Sequence, residues 1–172
     1  SCKCYSGIMY DVIIVGGGPA AAGAAVYVAR KKLKSLLITG DFGGQSIVSA
    51  DVQNWIGSKS ISGLDLAKNL EAHIRNYPDD LEIKTPELVT KISRKDGGFL
   101  VETDKGGAYE ARAIIYSAGA RRRKLGIPGE QEFDGKGVAY CSTCDAPLFG
   151  GKDVAVVGGG NAGLEAVGDL LP

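Results

Sequence analysis

The sequence predicts an α/β fold with two strand–turn–helix units and an antiparallel β-meander. Two short runs of β-branched and apolar residues, at 10–15 and 153–157, each lead directly into a glycine-rich turn. Such runs are typical of buried parallel strands. Between the two turns, the pairs Gly97-Gly98 and Gly106-Gly107 separate further strand-like segments, as in an antiparallel meander.

The first unit has the order strand, helix, strand within about 30 residues, which is the length of a βαβ unit. Tyr10–Val15 is the first predicted strand and Ser35–Thr39 the second. The segment Pro19–Lys32 between them is predicted as a helix, because alanine favours helices and the basic residues at its end suit the helix dipole.

A long loop and a second helix follow. Residues 40–60 are polar and rich in glycine, and loops of this length in compact domains are usually functional. Residues 63–77 are predicted as a helix that ends before Pro78, with a buried stripe formed by Leu64, Ala67, Leu70 and Ile74. The strands predicted after it are Leu81–Lys84, Glu87–Arg94, Phe99–Thr103 and Tyr109–Tyr116.

The last third of the chain contains the second strand–turn–helix unit. Residues 119–137 are predicted to cross from one domain to the next. Asp153–Val157 is the predicted strand and Leu164–Leu171 the predicted helix. One strand and one helix cannot close a core, so we expect the natural protein to be longer or the chain to be a fragment. Residues 1–8 have no clear pattern and form a predicted N-terminal extension, after which Met9 would be a natural start.

Composition and charge exclude several classes of protein. Hydrophobic residues make up 44% of the chain, enough for a core, so disorder is not expected. Twenty basic residues balance twenty acidic ones, which disfavours nucleic acid and anionic membranes as partners. The four cysteines do not suggest a disulfide scaffold, and no apolar run has membrane-spanning length. Without a pattern typical of a signal peptide, the expected location is the cytoplasm.

The two glycine-rich turns fit the fingerprint of dinucleotide-binding units. The first position makes a tight bend, the second lets backbone N–H groups approach a pyrophosphate, and the third must be small so that helix and strand pack closely. The residues at these positions are Gly16, Gly18 and Ala21 in the first turn and Gly158, Gly160 and Gly163 in the second. Two matches favour cofactor binding over plain tight connections. Asp41, 23 residues after Gly18, is the candidate for binding ribose hydroxyls.

A Cys-x-x-Cys pair, Cys141 and Cys144, lies between the turns and is followed by Asp145. Such a pair can be a redox disulfide, half of a zinc site or two buried thiols. A zinc site would need Cys2 and Cys4 as its other half, but their spacing is unusual for zinc, and no metal is expected. Redox chemistry is favoured because Asp145 follows at once. On a helix that begins near Cys141, it would exchange the proton that moves when the disulfide opens.

Together these motifs resemble the low-molecular-weight thioredoxin reductases, which are FAD-dependent pyridine nucleotide-disulfide oxidoreductases. The resemblance runs from Met9 to Pro172 and includes the segments IIVGGGPAAAGAAVYVAR, FGGQ, NW, GIPGE and CSTCD before VAVVGGGNAG. The flavoprotein subunit of alkyl hydroperoxide reductase fits almost as well. The resemblance implies a Rossmann-like FAD-binding domain in residues 9–118, with its C-terminal part absent. Residues 119–172 would start a Rossmann-like NAD(P)-binding domain.

The resemblance also implies a path for electrons and a role for each motif. In that family, electrons pass from NADPH through FAD to the Cys-x-x-Cys disulfide and on to a thioredoxin-like protein; NADH stays open as the donor. Cys144 would contact the flavin, Cys141 would exchange with the substrate, and Asp145 would be the acid/base. The residues implied to bind FAD are Gly16, Gly18, Pro19, Ala20, Ala21, Asp41, Gly44, Gln45, Asn54 and Gly119, and those implied to bind the nicotinamide cofactor are Gly158, Gly160, Asn161 and Ala162. A homodimer is expected of the full-length protein.

The chain departs from the family pattern in several places, and two alternative functions stay open. The family's acidic residue after the second strand is usually Glu, and its Ala-Thr-Gly-Ala strand end is Ser117-Ala118-Gly119-Ala120 here. Segments that select NADPH and complete the flavin site would lie beyond residue 172, so we expect this chain alone to bind FAD poorly and not to turn over. The alternatives are the reductase of a peroxide-reducing system and an inactive, truncated dinucleotide-binding fragment.

Overall fold

The computed structural model describes residues 4–120 and 123–171, without the side chains of residues 4–7, 143 and 144. The prediction about Cys2 therefore falls outside the described residues, as does the side chain of Cys4. The chain forms two compact units, Ser1–Ala120 and Arg121–Pro172, and each is described by itself. No helix in the described part of the chain is long and apolar enough to cross a membrane.

The first unit is built on one sheet of six strands. The strands are β1 (Cys4–Val15), β2 (Ser35–Ile38), β3 (Leu81–Lys84), β4 (Val89–Lys95), β5 (Gly98–Thr103) and β6 (Gly107–Tyr116). Their order in the sheet is β3-β2-β1-β6-β5-β4. β1 pairs in parallel with both β2 and β6, and β2 with β3, whereas the β4–β5 and β5–β6 pairs are antiparallel. The predicted α/β fold with an antiparallel meander is confirmed.

β1 begins at Cys4, well before the predicted start at Tyr10. Cys4 and Tyr5 pair with Gly107 and Ala108 of β6, and the register shifts before Met9. Strand pairing uses main-chain hydrogen bonds, so the long edge of β6 can extend β1 through residues that show no apolar alternation. Residues 4–8, predicted as an extension without pattern, therefore belong to the sheet.

Two helices connect the first three strands. They are α1 (Pro19–Arg30) and α2 (Gly63–Ile74), and a short 3-10 helix (Gly44–Val48) lies between β2 and α2. The hydroxyl of Ser62 caps α2 by accepting the N–H of Asp65 at 3.0 Å. Leu64, predicted on the buried stripe, is 50% exposed, while Leu66 is 2% exposed. Leu66, rather than Leu64, is therefore on the buried side of α2.

Two apolar clusters fill the two faces of the sheet. Val12 and Ile14 of β1 pack with the alanines of α1 and with Ile74 of α2. Ile13 and Val15 point to the opposite face, where they pack with Val101 of β5 and other meander residues. Alternate side chains of a strand point to opposite faces, so β1 is buried on both sides, as its continuous apolar run predicts.

The second unit contains two helices and, among its described residues, no strand. The helices are α3 (Ser142–Asp145), which continues into a 3-10 helix (Ala146–Phe149), and α4 (Asn161–Leu170). The prediction of a strand at Asp153–Val157 is wrong: this segment has no regular secondary structure, and Val154 and Val157 are 41% and 68% exposed. A strand needs a hydrogen-bonded neighbour, and the described residues of this unit supply none.

A buried carboxylate ties the meander to β2. Glu87 is 8% exposed and accepts hydrogen bonds from the hydroxyls of Thr103, at 2.5 Å, and Tyr109, at 3.3 Å. Its N–H donates to the carbonyl of Thr39 at 3.0 Å, just beyond β2, so β4 begins at Val89 and not at Glu87 as predicted. Burial and the Glu87 carboxylate raise the pKa of Tyr109, whose hydroxyl thus keeps its proton and its role as donor.

Gly63→Ala is expected to lower the free energy of unfolding by about 1–3 kcal/mol, as overpacking does. The new Cβ would lie 1.7 Å from the carbonyl oxygen of Ser46 in the 3-10 helix. Gly23→Ala is the matched control: nothing lies within 4 Å of its Cβ, and alanine inside α1 should stabilise the fold by about 1 kcal/mol. Urea unfolding followed by circular dichroism measures both changes, and equal effects would contradict the close packing at Gly63.

Glu87→Ala is expected to destabilise the first unit by about 1–3 kcal/mol, because the buried hydroxyl of Thr103 and the partly buried hydroxyl of Tyr109 lose their acceptor. Glu71→Ala serves as the control, since it removes only an exposed ion pair with Arg75, which contributes about 0–1 kcal/mol. Thermal unfolding at pH 7 compares the two variants. A Glu87→Ala variant as stable as Glu71→Ala would show that the buried carboxylate does not hold the meander.

Candidate functional site

Three segments of the first unit meet at the carboxyl ends of β1, β2 and β6. The N–H and the hydroxyl of Ser117, after β6, both donate to the carbonyl of Val15 at 2.9 Å. Gly16 N–H donates to the carbonyl of Ile38, the last residue of β2, at 3.0 Å. The carbonyl of Gly17 accepts the N–H of Gly43 at 2.9 Å. The glycine turn after β1 is thus held between the loops that follow its two neighbouring strands.

Side chains are excluded from two positions of this turn by the neighbouring backbone. Gly16 has φ +122°, and a Cβ there would lie 2.3 Å from the carbonyl oxygen of Ser117. A Cβ at Gly17 would lie 2.0 Å from the carbonyl oxygen of Asp41. No role for Gly17 was predicted, although the unbroken run of three glycines was a signal for it. Both glycines are required by packing within the chain.

The third glycine of the run faces a more open region. A Cβ at Gly18 would meet only the Cα of Gly44, at 3.7 Å, which is ordinary contact. Gly18 is the N-cap of α1 and Pro19 is its first residue, with no side chain capping the helix. The first N–H groups of α1, at Ala20 and Ala21, precede its first intrahelical bond, and such groups attract anions. Ala21 is fully buried and packs with the core between α1 and the sheet, so its small side chain serves packing.

The other predicted FAD-binding residues of this unit divide into two groups. The carbonyl of Asp41 accepts the hydroxyl of Thr39 at 2.5 Å beside the turn, and its side chain is exposed. The amide of Gln45 donates to the carbonyl of Ala120, which follows Gly119, so the 3-10 helix is tied to the end of β6. Asn54, by contrast, lines a separate open cavity of about 340 Å³ formed by residues 53–59.

The glycine turn of the second unit repeats the backbone of the first. Gly158 has φ +124°, against +122° at Gly16. Gly160, the N-cap of α4, has φ −86° and ψ −179°, against −77° and −178° at Gly18. A Cβ at Gly163 would lie 2.1 Å from the carbonyl oxygen of Gly158, so this third position has to be glycine. The N–H groups of Asn161 and Ala162 precede the first bond of α4, from Gly163 to Gly160.

The predicted dithiol lies at the start of α3, which contacts α4 in the same unit. Cys141 is the N-cap of α3, partly buried and disulfide-bonded. The helix predicted to begin near Cys141 does so, at Ser142, but it has only four residues. The N–H of Asp145 donates to the carbonyl of Cys141 at 2.9 Å, which places the acid one turn beyond that cysteine. The side chain of Cys144 lies outside the described residues.

One buried carboxylate near the dithiol was missed by the sequence analysis. Glu130 is 5% exposed and accepts hydrogen bonds from the N–H groups of Leu125, at 2.8 Å, and Gly126, at 2.6 Å. It also accepts the hydroxyl of Tyr140, the residue before Cys141, at 2.5 Å. The only signal was its place in the segment GIPGE. That segment gives no hint of the partner ten residues along the chain.

Comparison with curated proteins identifies relatives among oxidoreductases. The pyridine nucleotide-disulphide oxidoreductase family matches residues 10–170. A protein named NADH dehydrogenase from Bacillus subtilis is 45% identical over 161 residues, which cover 94% of this chain and 31% of the relative. The same values apply to a subunit of alkyl hydroperoxide reductase from Staphylococcus aureus. The chain thus spans about a third of the length of these relatives.

Solved structures of thioredoxin reductases share the fold. That of Streptococcus pyogenes is 37% identical, with a TM-score of 0.77, over 96% of this chain and 53% of the reductase. That of T. acidophilum is 40% identical, with a TM-score of 0.66, over 94% of this chain and 52% of the reductase. The six-stranded sheet is accordingly a Rossmann-like FAD-binding fold, as the resemblance implied. On the match over residues 10–170, the chain belongs to the pyridine nucleotide-disulphide oxidoreductase family.

Proposed function

We propose that this chain is the flavin-binding and dithiol-bearing part of a disulfide reductase. Electrons would pass from NADPH through FAD to a Cys141–Cys144 disulfide and on to a thioredoxin-like protein, in an enzyme that is a homodimer when full length. The observation that carries the proposal is the repeated turn: Gly16 and Gly158 have φ +122° and +124°, and a disulfide-bonded cysteine lies between them in the chain. One turn binds one dinucleotide, so two turns fit a protein that joins two cofactors.

The first turn has the features that FAD binding requires. The backbone at Gly18 is open to close approach, since a Cβ there would have only one ordinary contact. The uncapped start of α1 supplies N–H groups and a positive dipole end for the pyrophosphate. Gly44 and Gln45 lie beside Gly18 and Ala120 respectively, so we assign both to the same site. Asp41 would bind the ribose with its exposed carboxylate.

The second turn would bind the nicotinamide cofactor in the same way. Among the described residues other than the chain neighbours, no atom lies within 4 Å of a Cβ built at Gly158, Gly159 or Gly160, which leaves the backbone open to a pyrophosphate. Asn161 and Ala162 would offer their N–H groups at the start of α4. The choice of NADPH over NADH comes from the resemblance to thioredoxin reductases. The relative named NADH dehydrogenase supports the other donor.

The dithiol would couple the flavin to an external disulfide. Bound FAD would supply the two-electron chemistry that links a nicotinamide to a disulfide. Opening the Cys141–Cys144 disulfide consumes two electrons and two protons and leaves two thiols. Asp145 would deliver one of these protons, because its backbone is fixed to Cys141 within one helical turn. The thiolate of Cys141 would then attack a partner's disulfide, and Cys144 would displace the partner as a dithiol, which restores the starting disulfide.

A second candidate function uses the same chemistry with another acceptor. The 45% identity to a subunit of alkyl hydroperoxide reductase favours the reductase of a peroxide-reducing system. The third possibility is an inactive, truncated dinucleotide-binding fragment. Tight binding of FAD by the chain in equilibrium dialysis would count against this possibility.

Gly18→Ala is expected to weaken FAD binding at least about tenfold, because the methyl group would occupy the path of the pyrophosphate. The fold should be unaffected, since the new Cβ meets only the Cα of Gly44 at 3.7 Å. Gly23→Ala, inside α1, is the control and should bind as wild type does. Flavin fluorescence titration of apoprotein from a holoenzyme that carries this chain gives the affinities. If Gly18→Ala and wild type bound FAD equally, the first turn would not be the flavin site.

Cys144→Ser in the holoenzyme is expected to abolish reduction of a protein disulfide while NAD(P)H still bleaches the flavin absorbance. The reason is that the serine cannot receive electrons as half of a disulfide. Stopped-flow absorbance follows the flavin, and insulin precipitation with thioredoxin follows the acceptor. Continued reduction of thioredoxin by this variant would rule out the dithiol path.

A further inference from the structure

We propose that Glu130 and Tyr140 form a positioning pair that holds the chain entering the dithiol turn and thereby stabilises the Cys141 disulfide against reduction. The inference rests on the proposed function, because it assigns the pair a role only if Cys141 cycles between disulfide and thiol. It adds two residues that do not touch the reacting sulfur atoms and act through the backbone of Cys141.

Glu130 is anchored by its hydrogen bonds. Its carboxylate is almost fully buried and is shared by three donors: the N–H groups of Leu125 and Gly126 and the hydroxyl of Tyr140. Hydrogen bonds to an ionised acceptor are stronger than neutral ones. The carboxylate therefore fixes the Leu125–Gly126 bend and the tip of Tyr140 to each other.

The Tyr140 ring is held by a second contact, with Lys124. Besides the hydroxyl bond, the ring lies 5.5 Å from the Lys124 ammonium, and that ammonium also pairs with Asp134 at 3.2 Å. The tip and the face of the ring are thus both held by residues from 124–134. A tyrosine ring that is held at two points leaves its own backbone little freedom.

Tyr140 is joined directly to Cys141, the first cysteine of the dithiol. Adjacent Cα atoms are about 3.8 Å apart across a trans peptide, so the position of Tyr140 limits that of Cys141. On its other side, Cys141 is held by the bond from the Asp145 N–H to its carbonyl. If Tyr140 is released, Cys141 gains freedom in the dithiol form, and the two thiols meet less often. Closing a disulfide is then less favourable, and reduction is easier.

The charges around the pair keep it intact across neutral pH. The hydrogen bond from Tyr140, together with those from the backbone, lowers the pKa of Glu130 from its ordinary value of 4.5. The stability that the Glu130 carboxylate contributes is therefore complete above pH 4.5 and is lost as the pH falls through the lowered pKa. The bond to Glu130 raises the pKa of Tyr140 to about 12, so the contribution of Tyr140 is complete below its ordinary value of 10.0 and is lost as the pH rises through 12. Lys124 and Asp134 are the charged side chains beside the ring, and they form an ion pair.

The test measures the thiol–disulfide equilibrium of Cys141 in the full 172-residue chain. Wild type, Tyr140→Phe and Glu130→Gln are equilibrated at pH 7 with mixtures of reduced and oxidised glutathione, quenched with acid and alkylated. Mass spectrometry of the peptide that contains Cys141 gives the reduced fraction. Tyr27→Phe is the matched control, because that tyrosine is 70% exposed in the other unit.

Tyr140→Phe is expected to shift the equilibrium constant toward the dithiol by on the order of three- to tenfold, the effect of one lost hydrogen bond. Glu130→Gln should shift it in the same direction by less, since the single amide oxygen can still accept the Tyr140 hydroxyl while the bond from Gly126 is lost, and Tyr27→Phe should not shift it. If Tyr140→Phe loses the native circular dichroism spectrum, Glu130→Gln carries the test. If the wild-type disulfide exchanges reversibly with glutathione and a folded Tyr140→Phe or Glu130→Gln variant has the same equilibrium constant, the positioning role alone would be overturned. A wild-type disulfide that does not exchange with glutathione would overturn the proposed function as well.

Discussion

The first unit depends on the close approach of three main-chain segments at one edge of its sheet. Gly16 and Gly17 leave room for the carbonyl groups of Ser117 and Asp41, and any side chain there would lie within 2.3 Å of those oxygens. Because these contacts bring the ends of β1, β2 and β6 together, they also define the surface where Gly18, Gly44 and the start of α1 meet. The candidate cofactor site is therefore formed largely by main-chain packing, and the side chains of Ser117 and Gln45 add hydrogen bonds to it.

The second unit shows how much of such a turn is local. Its glycine turn has nearly the same dihedral angles as the first, although no described strand precedes it and α4 has no buried residue. The glycines and the helix that follows are sufficient for the shape. In the first unit, burial of the turn and pairing of the strand before it depend on β2 and β6, which lie outside the motif. In the same unit as the second turn, Glu130 is buried and accepts the hydroxyl of Tyr140, and α3 contacts α4.

The sequence predicted those parts of the fold that depend on local pattern. β2, α1 and the meander follow from apolar runs, alanine content and glycine pairs, and their bounds differ from the predicted ones by only a few residues. Features that depend on distant partners were missed. β1 begins at Cys4 because β6 lies beside it, Glu87 is buried because Thr103 and Tyr109 donate to it, and residues 153–157 lack a described neighbour. In the candidate site, the glycines were identified by their spacing, while Gly17 and Glu130 required three-dimensional contacts.

The bonds between Ser117 and Val15 also have a consequence for protein synthesis. These residues are 102 positions apart. The turn after β1 therefore lacks its contact with Ser117 until β6 has left the ribosome and paired with β1. At about 5–20 residues per second, that delay is on the order of 5–20 seconds after β1 leaves the ribosome. During this interval α1 and β2 can form, but the candidate cofactor site of the nascent chain is incomplete. A dinucleotide that binds this site can therefore stabilise only the last stage in the folding of this unit and not its beginning.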